Sequence, residues 1–219
     1  MIMTDIFAAF WQNILDTTVW EVIAVFLGVA SVWYARKENI LVYPTGIVSV
    51  IIYVFICFGA QLYADAGINF YYFVASVYGW IAWTRKRGDK GPLEISVNTK
   101  KQQITWALVT IFGCVLIFFT LWIFKKNDTA YIQSYLPYTD SFTTAVFLTA
   151  MILMARKKVE NWTYWIIADV VSIPLYIAKG LVFTGFQYII FLVLAIMGLI
   201  EWRRRYQLQH DLPHLQSTH

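Results

Sequence analysis

Histidine is missing from every apolar stretch of this chain, since His210, His214 and His219 all lie in the polar C-terminal tail. A buried histidine base or a histidine metal site is thereby excluded from the hydrophobic body, and neither a metal nor any other cofactor is expected. Cysteine is also scarce. Cys57 and Cys114 each sit inside an apolar segment, which argues against a disulfide framework and for two isolated buried thiols. Charge is short as well: Asp, Glu, Lys and Arg make up 14% of the chain, where a soluble domain carries about a quarter. What is abundant is apolar surface, with 59% hydrophobic residues and a mean hydropathy of +0.59. Such a chain is an integral membrane protein with no room for a large soluble domain, and its lipid bilayer is its first partner.

Seven apolar stretches stand out, at Trp20–Tyr34, Leu41–Gly59, Asp65–Thr84, Ile104–Phe124, Asp140–Ala155, Trp162–Ala178 and Phe183–Trp202. Each approaches the roughly 20 residues that cross about 30 Å of hydrocarbon. The last three echo the first three. Ala35-Arg36-Lys37 returns as Ala155-Arg156-Lys157, and Gly79, Trp83 and Arg85 return as Gly198, Trp202 and Arg204. Three spans followed by one linker span restore the starting direction, so the two triplets run parallel, a transporter layout. The predicted fold is all-α, with seven transmembrane helices in a three-plus-one-plus-three parallel repeat.

The net charge of +4 is explained by where the cations lie rather than by any affinity for nucleic acid. Fourteen of the 17 Lys and Arg fall on one side of the predicted spans: Arg36 and Lys37, the run from Arg85 to Lys101, Arg156 to Lys158, and Arg203 to Arg205. Only Lys125, Lys126 and Lys179 fall on the other. Cytoplasmic loops collect Lys and Arg, so the N-terminus is expected outside and the C-terminus in the cytoplasm. Seven spans require that same opposition of termini.

The predicted division runs as follows. Residues 1–19 form a short amphipathic helix in the outer interface, carrying Ile6, Phe7, Phe10, Trp11, Ile14 and Leu15 on one stripe. The start of the chain lacks the basic run and small-residue cleavage site of a signal peptide. Residues 20–87 are the first triplet, 88–103 a cytoplasmic connector whose LEISVNTKKQ stretch suits a short extended segment, and 104–124 the linker span. Residues 125–139 are an outer loop, 140–205 the second triplet and 206–219 a cytoplasmic tail. Pro174 in the sixth span, and Pro44 with Gly46 in the second, are expected hinges.

Polar side chains far from the span ends mark function, because hydrocarbon offers them no partner. Asp169 lies seven residues into the sixth span, about 10 Å deep at about 1.5 Å per residue. A carboxylate there points to a ligand or pathway contact. Asn69 and Gln187 fall at matched depth in the third and seventh spans, one residue short of the repeat offset. Amide side chains offer both donors and an acceptor, so the pair is expected to read an uncharged polar group near a pseudo-two-fold axis. Tyr53, Tyr72, Tyr176 and Tyr188 lie around them and could stack on a flat ring or hydrogen-bond a ribose. Most of the ten tryptophans sit at span ends, as interface anchors do; Trp80 and Trp165 lie about a turn deeper.

The run Val159–Asp169 (VENWTYWIIAD), with ARKK just before it, and Tyr78–Lys86 (YGWIAWTRK) resemble the PnuC-type vitamin transporters, specifically their nicotinamide riboside branch. The resemblance extends from about Trp20 to Arg205. It implies a seven-helix carrier built from two three-helix repeats, akin to the SWEET sugar transporters and set in the bacterial inner membrane. It implies uptake of nicotinamide riboside, an NAD precursor, by facilitated diffusion with alternating access. A cytosolic riboside kinase would then trap the product by phosphorylation. It marks Asn69, Tyr72, Trp162 and Trp165 as substrate-binding, and is compatible with an amide at Asp169, which argues against proton coupling there. A homo-oligomer, such as a trimer, is also implied. Val42–Gly46 (VYPTG) stands at the repeat offset from Asn161–Trp165 (NWTYW), so the two triplets are not chemically alike.

Thiamine and riboflavin, carried by sister branches, are the alternative substrates. A seven-helix receptor or photoreceptor is more remote, because a retinal protein needs a lysine deep in its last span and Lys179 lies at the outer end of the sixth. No close carboxylate pair, histidine cluster or H-E-x-x-H motif occurs in the spans, so the chain is not expected to be an enzyme.

Overall fold

Capping chemistry fixes where the helices begin. Thr18 accepts from the Glu21 backbone and Glu21 answers to the Thr18 backbone, a capping box that opens α1 (Val19–Arg36). Thr99 and Gln102 do the same for α4 (Lys100–Lys125). Asp128 caps the one-turn α5 (Thr129–Ile132), and Pro137 occupies the first turn of α6 (Leu136–Ala155). The remaining helices are α2 (Val42–Gly59), α3 (Tyr63–Thr84), α7 (Asn161–Ala178) and α8 (Val182–Gln216). This computed structural model describes residues 10–13, 15, 17–85 and 91–216. The predicted interfacial helix therefore lies largely outside the described residues. Of its described residues, 10–13 and 15 are helical, and Phe10 packs on Phe183 and Phe186 of α8.

Among the described residues five helices, α1, α2, α4, α6 and α8, are long and apolar enough to cross a membrane. The two other long helices, α3 and α7, are those that carry Asn69 and Tyr72, and Trp162, Trp165 and Asp169. Their polar load lowers their hydropathy. Multiple apolar helices make this a multi-pass membrane protein.

Helix ends reveal the repeat. At Glu38, Gln61, Lys157 and Gly180 the backbone turns left-handed, with φ of 57°, 60°, 51° and 77°. Each closes a Schellman motif: the Asn39 amide donates to the Tyr34 carbonyl and the Glu38 amide to Ala35, and the Lys158 amide donates to Leu153 and the Lys157 amide to Met154. These bonds repeat at the same separation as Glu38 and Lys157, 119 residues. The ARK echo is thus one residue out of structural register. Arg36 corresponds to Ala155, and Glu38 corresponds to Lys157, because the helices stop one residue apart relative to that motif.

Within each triplet neighbouring helices pack side by side, α1 on α2 on α3 and α6 on α7 on α8. The triplets meet along α1 with α8 and along α3 with α6, two contacts exchanged by the repeat symmetry. Six helices therefore form a closed ring, and α4 stands outside it against α6. That attachment uses a Thr110–Thr149 hydroxyl hydrogen bond of 2.9 Å. Tyr71 of α3 donates to the Leu148 carbonyl of α6 at 3.0 Å. The expected extended segment is present: Ser96 pairs with Lys158, and Ile95 is buried in the core. Pro44 lies in the first turn of α2, where a missing N–H costs nothing; Pro174 is interior to α7.

The main core gathers at the end of the ring that holds Arg36, Arg156 and Arg205, here termed the basic end. Tyr43 meets Trp83 edge-on at 5.1 Å, Trp83 meets Trp202 at 6.1 Å, and Trp202 meets Trp162 edge-on at 5.6 Å. The row reads the same from either triplet, since Tyr43 corresponds to Trp162 and Trp83 to Trp202. Two glycines permit it. A Cβ at Gly79 would collide with the Tyr43 ring, and one at Gly198 would come within 2.7 Å of the Trp162 ring. Gly79→Ala and Gly198→Ala are each expected to lower stability by about 1–3 kcal/mol, the usual cost of overpacking, read as a lower melting temperature of the purified protein in detergent.

Candidate functional site

One face of α7 presents Trp165, Ala168, Asp169, Ser172 and Tyr176, a helical spacing that points all five the same way. Opposite them stand Tyr72 of α3, Phe147 of α6 and Tyr188 of α8. Tyr188 is held between two rings, stacked on Tyr176 at 5.0 Å and on Phe147 at 5.8 Å. Phe147 also contacts Trp165 at 5.5 Å. Asp169 is 1% exposed, and its Oδ1 and the neighbouring Ser172 hydroxyl have no protein partner. Tyr72 and Tyr188 both lie within electrostatic reach of the Asp169 carboxyl.

The structure thus brings Tyr72, Trp165, Asp169 and Tyr188 together between the two triplets. Tyr53 of α2 and Gln187 of α8 come near one another, and Gln187 is next in sequence to Tyr188. Asn69 lies one turn from Tyr72, and its amide donates to the Asp65 carbonyl of its own helix at 2.9 Å. Asn69 and Gln187 are not symmetry mates: in the strict register Asn69 corresponds to Tyr188. Trp162 lies beside the group rather than within it, in the core cluster against which Tyr72 and Trp165 also pack. It is 1% exposed inside the basic-end row, and its indole N–H has no protein partner. Trp162 and Trp165 share a helix side but differ in depth, and Trp162 spends its face on Gly198 and Trp202.

Phe147 and Ser172 carried no mark in the sequence. Phe147 is one apolar residue in an apolar helix, and Ser172 is recognisable only by its three-residue spacing from Asp169. The repeat register makes Phe147 meaningful, because its counterpart is Gly28, and Trp165 corresponds to Gly46. In the first triplet Gly28 faces the Ser49 hydroxyl and Gly46 the Ser31 hydroxyl, while Ser49 and Ser31 donate across α1 and α2 to the Ala24 and Val42 carbonyls, each at 2.7 Å. Small residues zip the first triplet shut, and large rings fill the same places in the second.

Charged clusters cap both ends. At the end opposite the basic one, Lys179 bonds Asp140 at 2.7 Å and the Tyr131 hydroxyl donates to the same carboxylate at 3.0 Å. Burial, reinforced by the Asp140 charge, pushes the Tyr131 phenol up, so it stays a neutral donor. At the basic end a cavity of about 660 Å³ opens between α1 and α8, lined by Arg36, Lys37, Met197, Glu201 and Arg205 among others. It lies apart from the aromatic cluster.

A ring of two like-folded triplets enclosing an aromatic and acidic centre defines a multi-pass transport protein rather than an enzyme. The chain belongs to the nicotinamide mononucleotide transporter family, whose pattern spans residues 18–204. It is 28% identical over 200 residues to the nicotinamide riboside transporter PnuC of Escherichia coli, covering 83% of this chain and 84% of that protein. It is 25% identical over 199 residues to the riboflavin/roseoflavin transporter RibM of Streptomyces davaonensis, covering 91% of this chain and 90% of that one. The crystal structure of the vitamin B3 transporter PnuC shares the fold, with a TM-score of 0.66 at 18% identity over 94% of this chain and 93% of that chain.

The separation of the two tryptophans is measurable. Trp162→Ala is expected to cost about 3–5 kcal/mol of stability, as buried tryptophan deletions do. Trp165→Ala, at a half-buried position, is expected to cost clearly less. Thermal unfolding of the two variants side by side checks the difference.

Proposed function

We propose that the chain takes up nicotinamide riboside by facilitated diffusion with alternating access. The observation that carries this reading is the convergence of Tyr72, Trp165, Asp169 and Tyr188 between the two triplets. Nicotinamide riboside carries a cationic pyridinium, a carboxamide and a ribose. Aromatic faces attract a desolvated cation, and the Asp169 carboxyl, whose buried Oδ1 has no protein partner, offers a polar group to meet it. Asn69, Gln187 and the tyrosine hydroxyls suit the carboxamide and sugar. Neither α7 nor the part of α8 before Arg203 carries a Lys or Arg, so the cluster favours the nucleoside over its phosphorylated form. The riboside transporters among the relatives support the same substrate.

In this reading all seven long helices cross the bilayer of the bacterial inner membrane, as in the SWEET-like arrangement. The basic end faces the cytoplasm, the N-terminus lies outside, and a cytosolic kinase traps the riboside after entry. The protein works as a homo-oligomer, for which a trimer is one arrangement. The match to RibM favours one second reading, riboflavin, whose flat ring would also suit stacked tyrosines.

Titration of the purified protein separates these substrates. Nicotinamide riboside is expected to bind and to be displaced by neither riboflavin nor thiamine. Trp165→Ala and Asn69→Ala are each expected to weaken binding about tenfold, roughly one lost stacking or hydrogen-bonding contact. Unchanged affinity in both variants would remove these residues from the site, and tighter binding of riboflavin would reverse the substrate assignment.

A further inference from the structure

A residue that touches its own repeat mate must lie on the pseudo-two-fold axis relating the triplets. Among the described residues two such pairs occur, and both are at the basic end: Trp83 with Trp202 at 6.1 Å, and Glu38 with Lys157, whose Nζ and Oε1 are 2.6 Å apart. The ion pair is largely withdrawn from solvent, with side-chain exposures of 17% for Glu38 and 9% for Lys157. Its second oxygen takes Arg205 of α8 at 3.3 Å, and Arg205 also holds Glu201 at 2.8 Å. The Lys157 ammonium rests over the Trp83 ring at 4.6 Å, so salt bridge and aromatic pair form one plug. Both residues are in the left-handed conformation, which glycine adopts most cheaply. At the equivalent turn of the opposite end one mate is Gly180 and the other Gln61. Between the triplets at that end, no repeat-mate pair among the described residues is joined by a hydrogen bond, ion pair or ring contact.

We propose that Glu38 and Lys157 form the latch of the inner gate, which must part for substrate to leave the central cluster toward the cytoplasm. The proposal rests on the transport reading and on the basic end facing inward. The pair joins α1–α2 to α6–α7 at their turns, so relative rotation of the triplets separates it. A partly hydrated ion pair suits a latch, because its attraction and its desolvation cost nearly offset one another and the closed form is held without being locked. Removing one partner leaves the other charge shielded and unpaired, which disfavours the closed form.

Two measurements test the latch, both in protein lacking Cys57 and Cys114. In E38C/K157C, a short bifunctional methanethiosulfonate is expected to bridge the two thiols, stop riboside counterflow in proteoliposomes and leave riboside binding intact; reduction restores transport. In Ala75→Cys, whose position is buried on α3 between Tyr72 and Trp83, a membrane-impermeant thiol reagent on the cytoplasmic side is expected to label slowly. Adding Glu38→Gln is expected to speed that labelling roughly tenfold or more, as the open form gains population. Failure to bridge, transport by the bridged protein at the reduced rate, or unchanged Ala75→Cys labelling each overturns the latch. Labelling does not involve substrate, so riboside that fails to bind would overturn the substrate assignment alone.

Discussion

The close approach at Gly79 and Gly198 is the constraint on which the rest of the molecule depends. With no side chain at either place, the Tyr43 and Trp162 rings press against the neighbouring helix, where α2 meets α3 and α7 meets α8 in corresponding positions of the two triplets. The two rings so placed flank Trp83 and Trp202, which meet on the axis. The edge-on ring pairs add roughly 0.5–1.5 kcal/mol each beyond their burial. Lipid supplies little hydrophobic drive between helices, so such van der Waals fit is what membrane helices have to work with.

Symmetry governs the frame and fails in the lining. The Schellman turns, glycines and basic-end rings recur without slippage, while the residues facing the centre do not. Gly28 and Gly46 answer to Phe147 and Trp165, and Tyr72 answers to Phe191. A small asymmetric ligand cannot present the same groups to two symmetric walls. One compact wall of glycine and serine beside one wall of rings and a carboxyl is therefore a sensible division for a molecule with a polar sugar and a charged aromatic ring.

Much of the frame was legible in one dimension, because apolar length, charge placement and a fixed offset survive without coordinates. The Gly79 and Gly198 echo gave the correct register, whereas the more conspicuous ARK echo was one residue out and hid the pairing of Glu38 with Lys157. In the centre, Tyr72, Trp165, Asp169 and Tyr188 could be read because polar and aromatic groups at depth are rare and costly. Phe147 could not, since an apolar side chain in an apolar helix bears no label until its neighbours are known. Trp162 stands apart from Trp165 for a geometric reason: a spacing of three residues preserves the side of a helix but shifts its depth by about 4.5 Å, enough to seat Trp162 in the packed row that Trp165 only borders.

The strap formed by residues 91–99 has a mechanical consequence. Ser96 bonds Lys157 and Val159, and the Asn98 amide bonds Glu160, so the strap is stitched to the turn between α6 and α7. The linker helix α4, which follows it, is fastened to α6. Strap, linker and second triplet thus make up one heavy body, and the first triplet, joined to it at α1 with α8 and α3 with α6, is the lighter one. Any rocking between them is better pictured as a lever moving against a fixed block than as two equal jaws.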